Sequence, residues 1–335
     1  MRITNYDEYP IKHCTRYYGW LPQSKAFKKQ IKKKSPKYFT LCAQEALDVF
    51  MLELEKILLR DKNKRLPNVF ICERIQQIAI NIYQLVRPPL KEAIIIGPLE
   101  RILTFEDNEH TRNRLPNEYD RNRHIREMLR IKGLSQRLKS YFPFDIINFD
   151  TNGNLLNRDG ESNRLLYQSF EKIFELQQSI DTFLLFVTTP ITHIHPEFQS
   201  QFKSDFEFNV STYPKINDTL LSSVSTTSYD GIIDENKRIA IGFTKSVVMS
   251  VARRKGWNCE HQGIYIYKRS GGVTMLNCVV KLYKSQTDTD NNAYVKDVVK
   301  VIKKMPVYYS EANDEVIGHF EKVKEYREKV RKEYT

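Results

Sequence analysis

Short, continuous apolar runs rich in β-branched residues alternate with longer stretches of helical period, and no other feature constrains this chain as tightly. Residues 68–73 (NVFICE), 92–98 (EAIIIGP), 144–150 (FDIINFD) and 181–190 (DTFLLFVTTP) read as strands covered on both faces, because a strand with one wet face would alternate polar and apolar residues. Residues 37–43 (KYFTLCA) are the candidate first strand. Helical patterns over 43–60, 74–86, 119–140 and 162–179 separate these runs, which predicts βαβ units around a parallel sheet. The last third differs. A helix over 244–255 precedes two alternating runs that flank Ser270-Gly271-Gly272, a hairpin signal. The expected fold class is α/β: a doubly wound, mostly parallel Rossmann-like sheet closed by an antiparallel C-terminal hairpin.

The 335 residues suit one large core with appendages. Net charge is +12, and residues 1–37 hold ten basic side chains against Asp7 and Glu8. Tyr6, Tyr9, Tyr17, Tyr18, Trp20, Phe27 and Tyr38 interleave with them. Lysines meeting phosphates while aromatics stack on bases is a nucleic-acid pattern. A solvated arm whose aromatics dock on the core has the same composition. The expected organisation is a basic aromatic arm over 1–37, a core over 38–285 with the Ser/Thr/Asn-rich 217–230 as a loop or insertion, and a C-terminal extension over 286–335. In that extension, alternating charges at helical spacing read as a solvent-facing helix. DNA or RNA through the arm is the expected partner, with a protein partner as the alternative.

Five scattered cysteines (Cys14, Cys42, Cys72, Cys259, Cys278), with no CxxC pair, argue against a disulfide scaffold or a zinc ribbon. His193 and His195 lack a third ligand nearby in sequence, so no metal is expected. No stretch approaches the ~20 apolar residues of a membrane span. The expected setting is therefore reducing and cytoplasmic, without membrane contact. Neither GxxxxGK[ST] nor GxGxxG occurs, which removes the main support for kinase, ATPase and dehydrogenase chemistry.

In open α/β sheets ligands lie beyond the carboxyl ends of the strands, at the point where strand order reverses. Glu73 ends its strand there, and a carboxylate in that position can accept two hydrogen bonds from a ribose cis-diol. A carboxylate also suits the start of the helix that follows. Asp150 ends the fourth strand, with Asn152 and Gly153 in a tight turn behind it; these residue types are equally the preferred ones for any turn.

Parallel βα units closed by a helix and a hairpin over residues 37–284 resemble class I S-adenosylmethionine-dependent methyltransferases. The 37–53 stretch with Thr40 and Asp48, a strand ending in Glu73, and Asp150 with Gly153 resemble more loosely the methyltransferase-like three-Cys-motif partner proteins, found beside bacterial mobile-element and phage-defence genes. That resemblance implies S-adenosylmethionine as cofactor. It implies Glu73 at the ribose, Gly97 and Pro98 at the adenine, and Thr40, Cys42, Glu45 and Asp48 at the methionine end. Asp150 and Asn152 would be the catalytic pair that orients the methyl acceptor. One departure stands out: no glycine occurs between Gly19 and Gly97, where such folds place a glycine-rich turn. Two functions are therefore expected in order: a methyltransferase-like transferase acting on or near nucleic acid, or a catalytically inactive module of the same fold that binds nucleic acid or a protein in a defence system.

Overall fold

The computed structural model describes residues 9–41, 45–88, 93–105, 118–151, 153–269, 271–284, 291–304 and 306–334. Helix α1 (Pro10–Thr15), a π-helical turn (Arg16–Trp20) and α2 (Leu21–Ile31) lead into β1 (Tyr38–Thr40). The βα units continue through α3 (Leu47–Leu54), β2 (Val69–Glu73), α4 (Gln76–Val86), β3 (Ile94–Ile96), α5 (Leu99–Leu103), α6 (Glu118–Tyr141), β4 (Ile146–Asp150), α7 (Glu161–Leu176) and β5 (Thr182–Pro190). Next come α8 (Pro196–Thr212), α9 (Pro214–Val224) and a long helix made of α10 (Glu235–Gly242), a π-helical stretch (Phe243–Met249) and α11 (Ser250–Arg254). The hairpin β6 (Asn258–Lys268) and β7 (Thr274–Tyr283), then α12 (Asn291–Lys304), β8 (Val307–Tyr309) and α13 (Asp314–Tyr334) complete the chain.

The strands form one eight-stranded sheet in the order β3-β2-β1-β4-β5-β7-β6-β8. Strands β1 to β5 run parallel, β7 lies antiparallel between β5 and β6, and β8 returns parallel to β6. The fold is thus α/β and Rossmann-like, with an antiparallel element near the C-terminus. Successive strand residues point to opposite faces, and here both faces are dry. Phe39, Phe70, Ile147, Phe149, Leu185 and Val187 belong to one buried cluster. Tyr38, Val69, Ile71, Ile146, Leu184 and Phe186 belong to another, which also takes in Trp20, Phe27, Phe50 and Phe320. The continuous apolar runs have this physical origin. Gly271 and Gly272, at φ 87° and 78°, turn the hairpin in a region where L side chains are strained.

The structure differs from the expected organisation in three places. Residues 10–31, read as part of an appended arm, are helical, and Lys12, Arg16, Trp20, Leu21 and Phe27 are buried. Trp20, Leu21 and Phe27 make the apolar stripe, and the cations at 12 and 16 go in with it. The first half of 217–230, read as a loop, completes helix α9; Pro214 starts it, and Ile216, Thr219 and Leu220 bury one side at helical spacing. Helix α13 does carry paired charges, Lys324 with Glu321 and Arg331 with Glu328, yet it also buries Val316, Phe320, Val323 and Val330. Its charged face hides an apolar stripe four and three residues apart. Among the described residues no helix is long and apolar enough to cross a membrane.

Candidate functional site

Strand order reverses between β1 and β4, so their carboxyl ends flank the place where an open α/β sheet offers a crevice. Polar residues occupy it in a pattern set by the two-residue strand period. Thr40 pairs in register with Asn148, Asp150 with Thr188, and Thr188 with Asn277. Thr40 and Asn148 share a face with Tyr38 and Ile146, which belong to the cluster that takes in residues of α2 to α4. The result is a polar stripe across the end of an otherwise apolar face.

Each residue of the stripe makes at least one side-chain bond. Asp48, in the first turn of α3 and 1% exposed, accepts at Oδ2 from the Tyr38 hydroxyl (2.6 Å), the Thr40 hydroxyl (2.7 Å) and Asn148 Nδ2 (3.1 Å). Asn148 Nδ2 also donates to Thr40 Oγ1 at 3.0 Å. Two buried oxygens at this junction, Asp48 Oδ1 and Asn148 Oδ1, have no hydrogen-bond partner among the described residues. Asp150 pairs with Lys12 Nζ at 2.6 Å. Thr188 Oγ1 accepts from Asn277 Nδ2 (2.7 Å), and Asn277 Oδ1 accepts from Trp20 Nε1 (3.1 Å).

Lys12, Arg16 and Trp20 are four residues apart and so share one row of the helix that lies on the stripe. Trp20 stacks on Phe186 with ring centres 4.7 Å apart and planes within 4°. The Arg16 guanidinium sits 5.7 Å from the Trp20 ring. The π-helical turn between Arg16 and Trp20 widens the helix where it crosses the sheet, a distortion that recurs at functional sites.

The residues expected at the site do not all converge. Thr40, Asp48 and Asp150 meet at the switch point. Glu45 instead forms an ion pair with Arg327 of α13. Glu73 ends β2 and accepts from the Ile75 amide at 2.8 Å, so its carboxylate braces the turn into α4; burial raises its pKa against the lowering effect of the amides of Ile75 and Arg74. The Gly97 amide donates to the Glu73 carbonyl at 3.0 Å. A Cβ on Gly97 would lie 3.0 Å from Ile102 Cδ1, so the glycine permits close packing of α5. Pro98 caps the start of that helix. Cys42 and Asn152 lie outside the described residues. His195 caps α8, its ring accepting from the Glu197 amide at 3.3 Å.

Lys12, Tyr38, Asn148, Thr188 and Asn277 are partners that the motif search passed over. The signal for three of them was in the strands: Asn148 in IINFD, Thr188 in FLLFVTTP and Asn277 in TMLNCVV each interrupt an apolar run where a lone polar residue must find an internal partner. No family model, no curated protein and no solved structure matches the chain.

Proposed function

We propose that the chain is a methyltransferase-like protein that binds S-adenosylmethionine and acts on or near nucleic acid. The observation that carries this reading is the strand order, β3-β2-β1-β4-β5-β7-β6 with β7 alone reversed, which agrees with the element order that prompted the resemblance. The chemistry of the switch point fits the group: Asp48 Oδ1 and Asn148 Oδ1 are buried acceptors in need of donors, and Glu73 ends the neighbouring strand. Asp48 and Asn148 would accept from an ammonium, and Glu73 from ribose hydroxyls. Bound there, the cofactor would supply an electrophilic methyl group. The contribution of the chain is positional, with Asp150 orienting an acceptor in line with the transferred carbon. Titration calorimetry tests this. Millimolar S-adenosylmethionine should give binding heat and a thermal shift, and Glu73→Gln should weaken binding by about tenfold, the size of one charge-assisted hydrogen bond. Absence of both signals from the unaltered protein rejects the cofactor reading.

A second reading, the inactive module, is favoured by a different observation. Lys12 satisfies Asp150, and Trp20 satisfies Asn277, so the chain itself fills part of the stripe where a ligand would lie. That reading expects no cofactor heat and an unchanged structure on addition of S-adenosylmethionine.

A further inference from the structure

We propose that the amino end of the sheet, opposite the switch point, is a docking face for the phosphate backbone of nucleic acid. Two sequence windows hold most of the excess charge of the chain. Residues 28–37 carry six lysines and no acid, and residues 56–65 carry five basic side chains against Asp61. The fold brings the two together. Lys28 Nζ donates to the Lys56 carbonyl at 2.5 Å, the Leu59 amide to Ser35 Oγ at 3.2 Å, and Asn68 Nδ2 to the Ser35 carbonyl at 2.8 Å. Both windows run into strand starts, at Tyr38 and Val69.

The acids nearby are already engaged. Asp145 is held by Lys33 Nζ at 2.7 Å and by the Lys37 amide at 2.8 Å. Asp61 Oδ1 accepts from the amides of Asn63 and Arg65, at 2.8 and 2.9 Å, and Glu53 is paired with Arg60. Among the described residues, Lys29, Lys32, Lys34 and Lys62 are exposed and pair with no carboxylate. A second observation comes from the backbone. Lys32, Lys56 and Lys64 adopt left-handed conformations, φ 53°, 58° and 59°, which glycine or asparagine would take at less energetic cost. Lysine stands at all three turns, and all three lysines are exposed.

The chemistry of the face selects its partner. None of the exposed large hydrophobic side chains falls in either window, so there is no apolar anchor for a bilayer. Phe27 and Tyr38, the aromatics closest in sequence, are buried and unavailable to stack on bases. Lysine point charges fit phosphates, contacts that carry no sequence information directly. Because the face lies at the far end of the strands from Asp150, nucleic acid bound there is an anchor and not the methyl acceptor. The proposal rests only on the nucleic-acid part of the function above, and cofactor calorimetry fails or succeeds independently of it.

Fluorescence anisotropy with a short mixed-sequence DNA duplex tests it, using the full chain with Lys29, Lys32, Lys34 and Lys62 all changed to glutamine. The unaltered protein should bind at about 50 mM salt, with log affinity falling steeply against log salt. The variant should lose at least about tenfold in affinity, and its salt slope should shrink by roughly one per lysine. Arginine at the same four positions should restore binding, and an unchanged circular dichroism melt controls for folding. A variant that binds within about twofold of the unaltered protein, no binding by the unaltered protein, or binding to phosphatidylserine vesicles but not to duplex would each overturn the proposal.

Discussion

Two buried polar regions of this molecule are equally dry and differently bonded. At the switch point, Asp48, Thr40 and Asn148 share a network, Asp150 has Lys12, and Asn277 has both Trp20 and Thr188. Between β6 and α12, His261 (2% exposed) and Asp297 (5% exposed) share one bond, from the His261 amide to Asp297 Oδ1 at 2.8 Å. His261 Nε2 stops 3.9 Å from Asp297 Oδ2, and both ring nitrogens and that oxygen lack hydrogen-bond partners among the described residues. The bulge between His261 and Gly263 sits at the same place in β6. Burial then acts on protonation: it lowers the His261 pKa to about 3, aided by Lys300, and pushes Asp297 up to about 7 against the amide of His261 and Lys300. Where partners exist, a buried polar group positions its neighbours. At His261 and Asp297, burial shifts the charge state.

The largest effect should come from breaking the bonded region at its apolar centre. Trp20→Ala removes the stack on Phe186 and the donor to Asn277 together, and should cost about 3–5 kcal/mol in urea unfolding. Trp20→Phe keeps a ring over Phe186 and leaves Asn277 Oδ1 unsatisfied, which should cost about 1–2 kcal/mol. If both variants unfold like the unaltered protein, the N-terminal helix is an appendage and the switch point is not closed by it.

That helix also marks the limit of what the sequence disclosed. The parallel strands and the hairpin were legible because continuous apolar runs and Gly-Gly turns report local, two-faced burial. Asp150 was singled out because chemistry in such sheets collects at strand ends, and Asp48 through the resemblance carried by residues 37–53. Burial of Lys12 and Arg16 was not legible, since a cation enters a core only when a distant partner compensates it, and Asp150 lies 138 positions from Lys12 in the chain. The pairing of Glu45 was illegible for the same reason, its partner Arg327 being on the last helix. Periodicity reports one element at a time, whereas these contacts join the two ends of the chain.

The poorly bonded region is separated from the first by pH. Asp297 binds its proton more tightly folded than unfolded, so its contribution to stability is complete below its unfolded value of 3.8 and is lost as pH rises through about 7. His261 runs the other way: its contribution is present above 6.5 and is lost as pH falls toward about 3. Lys300, Glu260 and Lys304 face the pair and modulate it. Asp297→Asn keeps an acceptor for the His261 amide and removes the carboxyl. Relative to the unaltered protein, it should gain on the order of 2–4 kcal/mol in urea unfolding between about pH 5 and about pH 8. An equal difference at both pH values would show that Asp297 does not titrate in the folded protein.

The smallest effect is also the one that connects stability to the site. Lys12 and Asp150 are about 10% exposed at the side chain, so their ion pair is largely shielded from solvent. Lys12→Met leaves the carboxylate without its cation and should cost about 1–3 kcal/mol, whereas Lys12→Met combined with Asp150→Asn should cost less than the sum of the single changes. The same single change removes the ion pair that ties helix α1 to the end of β4. If S-adenosylmethionine binds at the switch point by displacing that helix, Lys12→Met binds it more tightly even though the protein is less stable. If the chain is an inactive module, stability falls and cofactor heat stays absent. Calorimetry and urea unfolding on this one variant therefore move in opposite directions under the first reading, and only the unfolding curve moves under the second.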